Sequence, residues 1–167
     1  MQLERAQKIA EGIIGGLEYY CEQVAASPPA SSKFFIEVVG SIRRKKPQVN
    51  DIDIVLVPRD RDALDRRLMQ LGKLKMSGLK IARVQMEEIT LDVYYATTET
   101  WATLLLIRTG SAENNIRLAT LAKKRGWRLA ASGDGLFNER GERIAGNSEE
   151  SIYQALDLPW QEPWERD

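Results

Sequence analysis

The feature that most constrains this chain is a pair of aspartates, Asp51 and Asp53, separated by one residue in the apolar run DIDIVLV. Alternate side chains of a β-strand leave the same face, so both carboxylates would reach one site while Ile52 and Ile54 enter a core. Carboxylate oxygens are the ligands that Mg²⁺ prefers. The run therefore predicts a strand that brings two acidic groups to a cation site.

A third carboxylate, Asp92, lies in the segment EEITLDVYYA. Apolar residues alternate there with polar ones, which predicts a strand with Asp92 on the face opposite Leu91 and Val93. Three carboxylates on neighbouring strands suit two Mg²⁺ ions about 3.5–4 Å apart, which can activate a hydroxyl and stabilise a leaving pyrophosphate. The predicted cofactor is two Mg²⁺ ions, with Mn²⁺ as a substitute.

The segment before the aspartates has the composition of a phosphate-binding turn. FFIEVVG predicts a strand, and Gly40 at its end lets the backbone come close to a phosphate. Ser41 offers a hydroxyl and an N–H group, while Arg43 and Arg44 can donate to a triphosphate. A D-x-D or a G-S alone is common in strands and turns, so the prediction depends on their occurrence in order with a third carboxylate.

These residues carry a resemblance to a known family. The segment GSIRRKKPQVNDID resembles the G-S-x-R-R…D-x-D motif of family X DNA polymerases, the group typified by polymerase beta. TGSAENNIRLATLAKKRGW is similar to that family's nucleotide-closing helix, and GLFNERGERIAGNSEESIYQALDLPWQEPWERD to its C-terminal end. LERAQKIAEGII is similar to the helix that begins the palm, so the resemblance covers essentially the whole chain. The helix-hairpin-helix modules of typical members are expected to be absent.

The resemblance implies an α+β fold with two parts. Residues 1–98 would form a polymerase beta-like nucleotidyltransferase palm, a mixed sheet with helices on one face that carries the catalytic carboxylates. Residues 99–167 would form a small α/β C-terminal (thumb) lobe that closes over the nucleotide. The implied reaction adds a nucleoside monophosphate to a DNA 3′-hydroxyl with release of pyrophosphate, by a two-metal mechanism, in repair or gap-filling synthesis.

The resemblance also implies roles for individual residues. Asp51, Asp53 and Asp92 would be the catalytic metal ligands, with Asp92 accepting the proton of the primer hydroxyl. The implied nucleotide contacts are Gly40, Ser41, Arg44, Asn50, Gly110, Ser111 and Asn115.

Three departures from the family pattern modify these expectations. Ile107 and Arg108 replace the aromatic pair, or His-Phe, that normally precedes T-G, so the segment Ile107, Arg108 and Thr109 is expected to exclude a ribose 2′-hydroxyl less well. Asn50 stands where a glycine usually precedes the first aspartate. Ala119 stands where polymerase beta has an arginine that checks the template base, which predicts a weaker fidelity check.

The charge balance predicts only local attraction to nucleic acid. Lys and Arg total 24 and Asp and Glu total 24, so the net charge is zero. Basic residues are nevertheless clustered, and clusters of this kind can line a DNA groove. The expected DNA contacts are Lys45, Lys46, Lys80, Arg83, Arg117, Lys123, Lys124 and Arg125. The expected partners are primer-template or gapped DNA and a dNTP, or alternatively an rNTP, bound by a monomer that a separate DNA-repair protein could assist.

Absent residues exclude several classes of chemistry. The chain has no histidine, so imidazole bases and His-zinc sites are excluded. The single cysteine, Cys21, excludes an intrachain disulfide and fits a reducing cytoplasm, the expected location. No apolar run approaches the ~20 residues that cross a bilayer, so no membrane partner is expected. Residues 26–32, ASPPASS, predict a loop.

Capping residues predict the ends of three helices. Asp60 or Asp62 can cap a helix that contains Leu64, Leu68 and Leu71, and Ser111 is a natural N-cap for the helix that ends near Gly126. A last helix is predicted from Asn147 or Ser148 to Leu158, before Pro159.

Other functions remain open from sequence alone. A template-independent or ribonucleotide-tolerant terminal transferase is compatible with the expected lack of DNA-grasping modules and with Ile107-Arg108. A binding module that presents DNA ends to a partner is a second possibility, against which the intact acidic triad argues. Small nucleotidyltransferases that modify proteins or antibiotics share the G-S…D-x-D core, but the C-terminal third argues against them.

Overall fold

The computed structural model describes residues 1–25 and 33–167, and the predicted loop at 26–32 lies outside the described residues. The helices in these ranges are α1 (Leu3–Leu17), α2 (Gly40–Arg43), α3 (Arg61–Leu71), α4 (Trp101–Thr109), α5 (Ala112–Lys124) and α6 (Glu149–Ala155). The strands are β1 (Ile36–Val38), β2 (Asp51–Leu56), β3 (Lys73–Ser77), β4 (Ile81–Gln85), β5 (Thr90–Tyr95), β6 (Arg128–Leu129), β7 (Leu136–Phe137) and β8 (Arg143–Ala145). No helix of the described ranges combines the length and apolar character that a membrane span requires.

The larger sheet is mixed and has the strand order β1-β2-β5-β4-β3. Strands β2 and β5 pair in parallel, and the other neighbours pair antiparallel. The sequence pattern predicts β1, β2 and β5 but misses the hairpin of β3 and β4. Strand β3 is an edge strand whose residues are mostly exposed, so it lacks the apolar alternation of a half-buried strand.

Helices α1 and α3 cover one face of this sheet. Helix α1 buries Ala6, Ala10, Ile13 and Leu17, a spacing that forms one helical stripe. Helix α3 begins at the N-cap Asp60, whose side chain accepts a hydrogen bond from the backbone N–H of Ala63, which confirms the predicted cap. The same apolar cluster contains Ile52 and Ile54 of β2, both fully buried. Their predicted burial is confirmed, and Asp51 and Asp53 therefore face the other side of the sheet.

Helix α4 carries the chain from the sheet to the C-terminal lobe. Leu104 and Leu105 of α4 pack with Val55 of β2 in a separate apolar cluster, so α4 lies against the face that α1 and α3 leave open. The rings of Trp101 and Phe35 meet edge to face, with centroids 5.3 Å apart. The boundary between residues 98 and 99 stays a prediction.

The C-terminal lobe packs α5, α6 and the sheet β6-β7-β8 around its own core. That core contains Leu106, Leu118, Leu136 and Ile152. Helix α6 begins after a Ser148 capping box and ends at Ala155, short of the end predicted at Leu158. Asp157 has a φ of +53°, which is outside the helical range and explains the earlier end.

A buried carboxylate joins the two parts of the chain. Glu149, at the start of α6, accepts hydrogen bonds from Arg43 of α2 at 2.6 and 3.1 Å and from Arg166 at 2.6 Å. Arg166 is fully buried, and Arg43 also donates to the hydroxyl of Thr109 at the end of α4. One carboxylate therefore fixes α2, α6 and the C-terminal segment relative to one another.

We expect Glu149→Gln to lower the free energy of unfolding by about 3–5 kcal/mol, because removing one member of a buried ion pair leaves the other charges uncompensated. Urea unfolding followed by circular dichroism measures this loss. The matched control is Glu150→Gln, since Glu150 is the exposed neighbour on the same helix. Equal stability of the two variants would show that the network contributes nothing to folding.

Candidate active site

The acidic residues meet on adjacent strands. The parallel register of β2 and β5 places Asp53 directly opposite Asp92, and Asp51 opposite Thr90. The side chain of Asp51 leaves the same face of the sheet as that of Asp53, because one residue separates the two on β2. Asp92 is almost completely buried. The fold thus brings the three aspartates of the sequence analysis to one face of the sheet.

Crowding of these carboxylates perturbs Asp53. Burial, followed by the charges of Asp51 and Asp92, raises the pKa of Asp53 to about 6. The hydroxyl of Tyr94 donates a hydrogen bond to Asp53 Oδ1 at 3.3 Å, and this bond together with the charge of Arg108 acts in the opposite direction. A carboxyl group whose charge is disfavoured by its neighbours is one that a bound cation would stabilise.

Arg83 is hydrogen-bonded to the third carboxylate, that of Asp92. Its Nε donates to Asp92 Oδ1 at 2.7 Å and its Nη2 donates to Asp92 Oδ2 at 2.6 Å. The two residues face each other in the register of β4 and β5. Over residues 1–25 and 33–167, no three side chains of metal-binding type are grouped so that they could hold an ion. Metal binding by the three aspartates therefore stays a prediction, and the structure places Arg83, a predicted DNA contact, on Asp92.

The turn at Gly40 leaves a cradle beside Asp53. Gly40 has a φ of +62°, and a Cβ at this position would lie 2.1 Å from Asp53 Oδ2. Both the backbone conformation and the close approach therefore require glycine. The next hydroxyl, Ser41 Oγ, is buried and has no hydrogen-bond partner in the described part of the chain. A buried hydroxyl without a partner, one residue after the glycine that approaches Asp53, suits a bound polar ligand.

The two arginines that follow have different partners. Arg43 is held by Glu149 and Thr109, which leaves it unavailable for the triphosphate contact that the sequence suggested for both arginines. Arg44 donates through Nη1 to the carbonyl of Thr109 and through Nε to Asp167 at 3.3 Å. Its guanidinium lies over the turn at Gly110, where a Cβ would be 3.2 Å from Nη1. Arg44 is thus the arginine that remains beside the predicted nucleotide turn.

The start of α5 is fixed by the C-terminal segment. The N–H of Ser111 donates to the carbonyl of Arg166 at 2.7 Å, and Ser111 Oγ accepts from the N–H of Asn114, which confirms the predicted N-cap. Asn115 donates through Nδ2 to the carbonyl of Ile107 at 2.8 Å. Its Oδ1 is buried without a partner among the described residues. Asn50, the remaining predicted nucleotide contact, is exposed in the loop before β2.

The predicted sugar-discriminating segment reaches the acidic face through an aromatic ring. The guanidinium of Arg108 lies 4.1 Å from the centre of the Tyr94 ring, and Tyr94 is bonded to Asp53. The sequence motifs that predict the site give Tyr94 no role. Its position two residues after Asp92 on β5 was the available signal, because it places both side chains on one face.

Most of the predicted DNA contacts have partners within the protein. Arg117 donates to Asn114, Arg125 to the last carbonyls of α6, Lys46 pairs with Asp167, and Lys45 lies over the ring of Trp164. Lys80, Lys123 and Lys124 are exposed, and no ion pair within the described ranges engages them. These three lysines are the predicted contacts whose charge is free for an external phosphate.

The mixed sheet, the helices packed on it and the acidic face agree with a polymerase beta-like nucleotidyltransferase fold. Residues 104–167 match the family model described as DNA polymerase beta thumb. The chain is also 30% identical over 126 residues to the DNA polymerase/3'-5' exonuclease PolX of Bacillus subtilis (strain 168). The aligned region covers 72% of this chain and 22% of that relative. The chain is a family X polymerase-like protein. It spans about a fifth of the length of the curated relative that it matches.

We expect Gly40→Ala to disrupt the acidic face, because the added Cβ overlaps Asp53 Oδ2 and the φ of +62° disfavours alanine. The variant should lose stability by about 1–3 kcal/mol, the usual cost of such backbone strain. Gly12→Ala is the control, since a Cβ there meets no atom within 4 Å and alanine favours a helix. Thermal unfolding of both variants measures the difference. If Gly40→Ala left the stability unchanged, the close approach of this turn to Asp53 would be contradicted.

We expect the protein without divalent cations to lose stability as the pH rises from about 4 to about 6. The folded protein holds a proton on Asp53, whose pKa is raised to about 6 from 3.8, while the unfolded chain releases it. This stabilisation is complete below the unfolded pKa and is lost above the folded one. Asp53→Asn should remove the dependence and be more stable than the unsubstituted protein by about 1–3 kcal/mol at pH 7.

Urea unfolding in EDTA at several pH values measures this effect. Asp62→Asn, an exposed position on α3, is the control and should follow the unsubstituted protein. A stability difference for Asp53→Asn that did not change with pH would contradict the assignment of the proton to Asp53.

Proposed function

We propose that this protein is a DNA-directed nucleotidyltransferase that adds a nucleoside monophosphate to a DNA 3′-hydroxyl with release of pyrophosphate, in repair or gap-filling synthesis. The observation that carries the proposal is the pairing of Asp53 with Asp92 beside the turn at Gly40 and the unpartnered hydroxyl of Ser41. Carboxylates next to an open polar turn suit a cation and a phosphate chain together. The similarity to family X polymerases supports the same class.

The donor set fits a hard divalent cation. Asp51, Asp53 and Asp92 offer only carboxylate oxygens, and the pKa of Asp53 is raised by burial and then by the charges of Asp51 and Asp92, which a cation would offset. These residues would hold two Mg²⁺ ions, for which Mn²⁺ could substitute. Such ions, when bound, supply charge neutralisation at the phosphates and lower the pKa of the attacking hydroxyl.

The remaining residues would position the substrates. Ser41 Oγ would donate to the triphosphate, and Arg44 would add a charge-assisted hydrogen bond by leaving its contact with Asp167. Asp92 would accept the proton of the primer hydroxyl. Catalysis of this kind depends mainly on positioning and electrostatic stabilisation, since the phosphoryl group needs no covalent partner on the protein.

Template-dependent primer extension tests the proposal. With Mg²⁺ and dNTPs, the protein should extend a primer on gapped or recessed DNA, and Asp53→Asn or Asp51→Asn should lower kcat/KM by about 100-fold or more, a loss of ~3 kcal/mol in transition-state stabilisation. Asp62→Asn should retain activity. Extension of single-stranded DNA alone would identify a terminal transferase instead. DNA binding without incorporation would identify an end-binding module.

Tolerance of ribonucleotides is a second candidate property, favoured by one observation. Arg108 stacks on Tyr94 where the family usually has an aromatic pair or His-Phe before T-G, and the Thr109 carbonyl is already engaged by Arg44. The carbonyl oxygen of that turn therefore already accepts a hydrogen bond within the protein. Competition between dCTP and rCTP in the same assay measures the discrimination.

A further inference from the structure

We propose that Arg83 is an internal counter-ion that occupies Asp92 in the cation-free protein and competes with a divalent cation for that carboxylate. The inference rests on the proposed function in taking Asp92 as a cation ligand. It adds a residue of β4 to the site, outside the motifs that carry the resemblance. Arg83 would set how tightly the acidic face binds its cation.

The geometry of the pair is that of a complete fork. Two nitrogens of Arg83 each donate to a different oxygen of Asp92, at 2.7 and 2.6 Å. This bidentate arrangement is the strongest contact that a guanidinium makes with a carboxylate. Both oxygens of Asp92 therefore accept hydrogen bonds from β4, in the positions where they would otherwise be available to an ion shared with Asp53.

The electrostatics explain why a counter-ion is needed. Asp92 has a side chain that is 3% exposed, and Asp53 stands beside it in the parallel register. A buried carboxylate next to a second one is destabilising unless a positive charge is close. Arg83 is the cationic side chain in contact with Asp92, while Arg108 lies over the ring of Tyr94. Arg83 therefore supplies the positive charge that a divalent cation would otherwise supply.

The position of Arg83 allows it to leave. Its side chain is 46% exposed, and Ala82 and Val84, its neighbours on β4, hold the strand in the core. Rotation of the side chain into solvent would break the fork without unpacking the sheet. The carboxylate would then be free to turn toward Asp53 and a shared cation.

Competition predicts that loss of Arg83 tightens cation binding. We expect Arg83→Gln to lower the dissociation constant for Mn²⁺ by about tenfold, within the usual range of coupling between two ligands of one site. Calorimetric or paramagnetic-resonance titration of Mn²⁺, without nucleotide or DNA, measures this directly. Arg5→Gln is the matched control, because Arg5 forms an exposed ion pair with Glu88 on another surface and should leave the affinity unchanged. Unchanged or weaker binding by Arg83→Gln would overturn the proposal.

Three further variants separate the possible failures. Asp92→Asn should weaken Mn²⁺ binding, and adding Arg83→Gln to it should give no gain, because the contested carboxylate is gone. If Asp92→Asn bound Mn²⁺ like the unsubstituted protein, the acidic site of the proposed function would itself be wrong. If Asp92→Asn weakened binding but Arg83→Gln did not tighten it, only the competition would be refuted. Arg83→Lys, which retains the charge but not the fork, should bind Mn²⁺ with intermediate affinity and serves if the glutamine variant does not fold.

Discussion

The placement of the candidate site depends on one buried carboxylate, that of Glu149. It accepts hydrogen bonds from Arg43 of α2 and from Arg166 of the C-terminal segment at the same time. Arg43 belongs to α2, which begins at the Gly40 turn, and the Arg166 carbonyl accepts the N–H of Ser111 at the start of α5. The Gly40 turn and the start of α5, which form the two halves of the predicted nucleotide site, are therefore both positioned by the Glu149 carboxylate. Burying three charges is costly unless the geometry is good. We interpret the network as a device that specifies the arrangement of the two parts rather than one that maximises stability.

The second constraint is the conflict between packing and charge on β2 and β5. Burial of Ile52, Ile54 and Leu91 on one face forces the aspartates onto the other face, next to one another. Burial of Asp53, followed by the repulsion from Asp51 and Asp92, raises the pKa of its carboxyl group. Arg83 and Tyr94 offset part of this repulsion through direct hydrogen bonds. Local rules of sheet pairing disfavour like charges opposite each other, and a violation of this kind is typical of a functional site.

The sequence predicts what local patterns encode. Alternation on β2 and β5 predicts the buried isoleucines and the face of the aspartates. Side-chain chemistry predicts the cap Ser111 and a cap at Asp60 or Asp62, of which Asp60 is the one observed. The missing parts are long-range. Arg43 and Arg44 are adjacent and chemically alike, so no pattern distinguishes the one that binds Glu149, 106 residues away, from the one beside Gly110. The hairpin β3–β4 has mostly exposed residues on its edge strand, so the sequence pattern does not predict it. The pairing of Arg83 with Asp92, which depends on that hairpin, is therefore not predicted either.

Partnered arginines also change what the charge distribution implies for nucleic acid. The sequence suggests eight basic contacts, but within the described residues the free charges among them are Lys80, Lys123 and Lys124. Each phosphate contact steepens the salt dependence of binding by ~0.9 logarithmic units. Under the proposed function, three lysines would give a shallow dependence and modest affinity for duplex DNA. A chain with zero net charge therefore has little long-range attraction to a template. Productive engagement would then depend on the cation and the triphosphate at the acidic face formed by Asp51, Asp53 and Asp92.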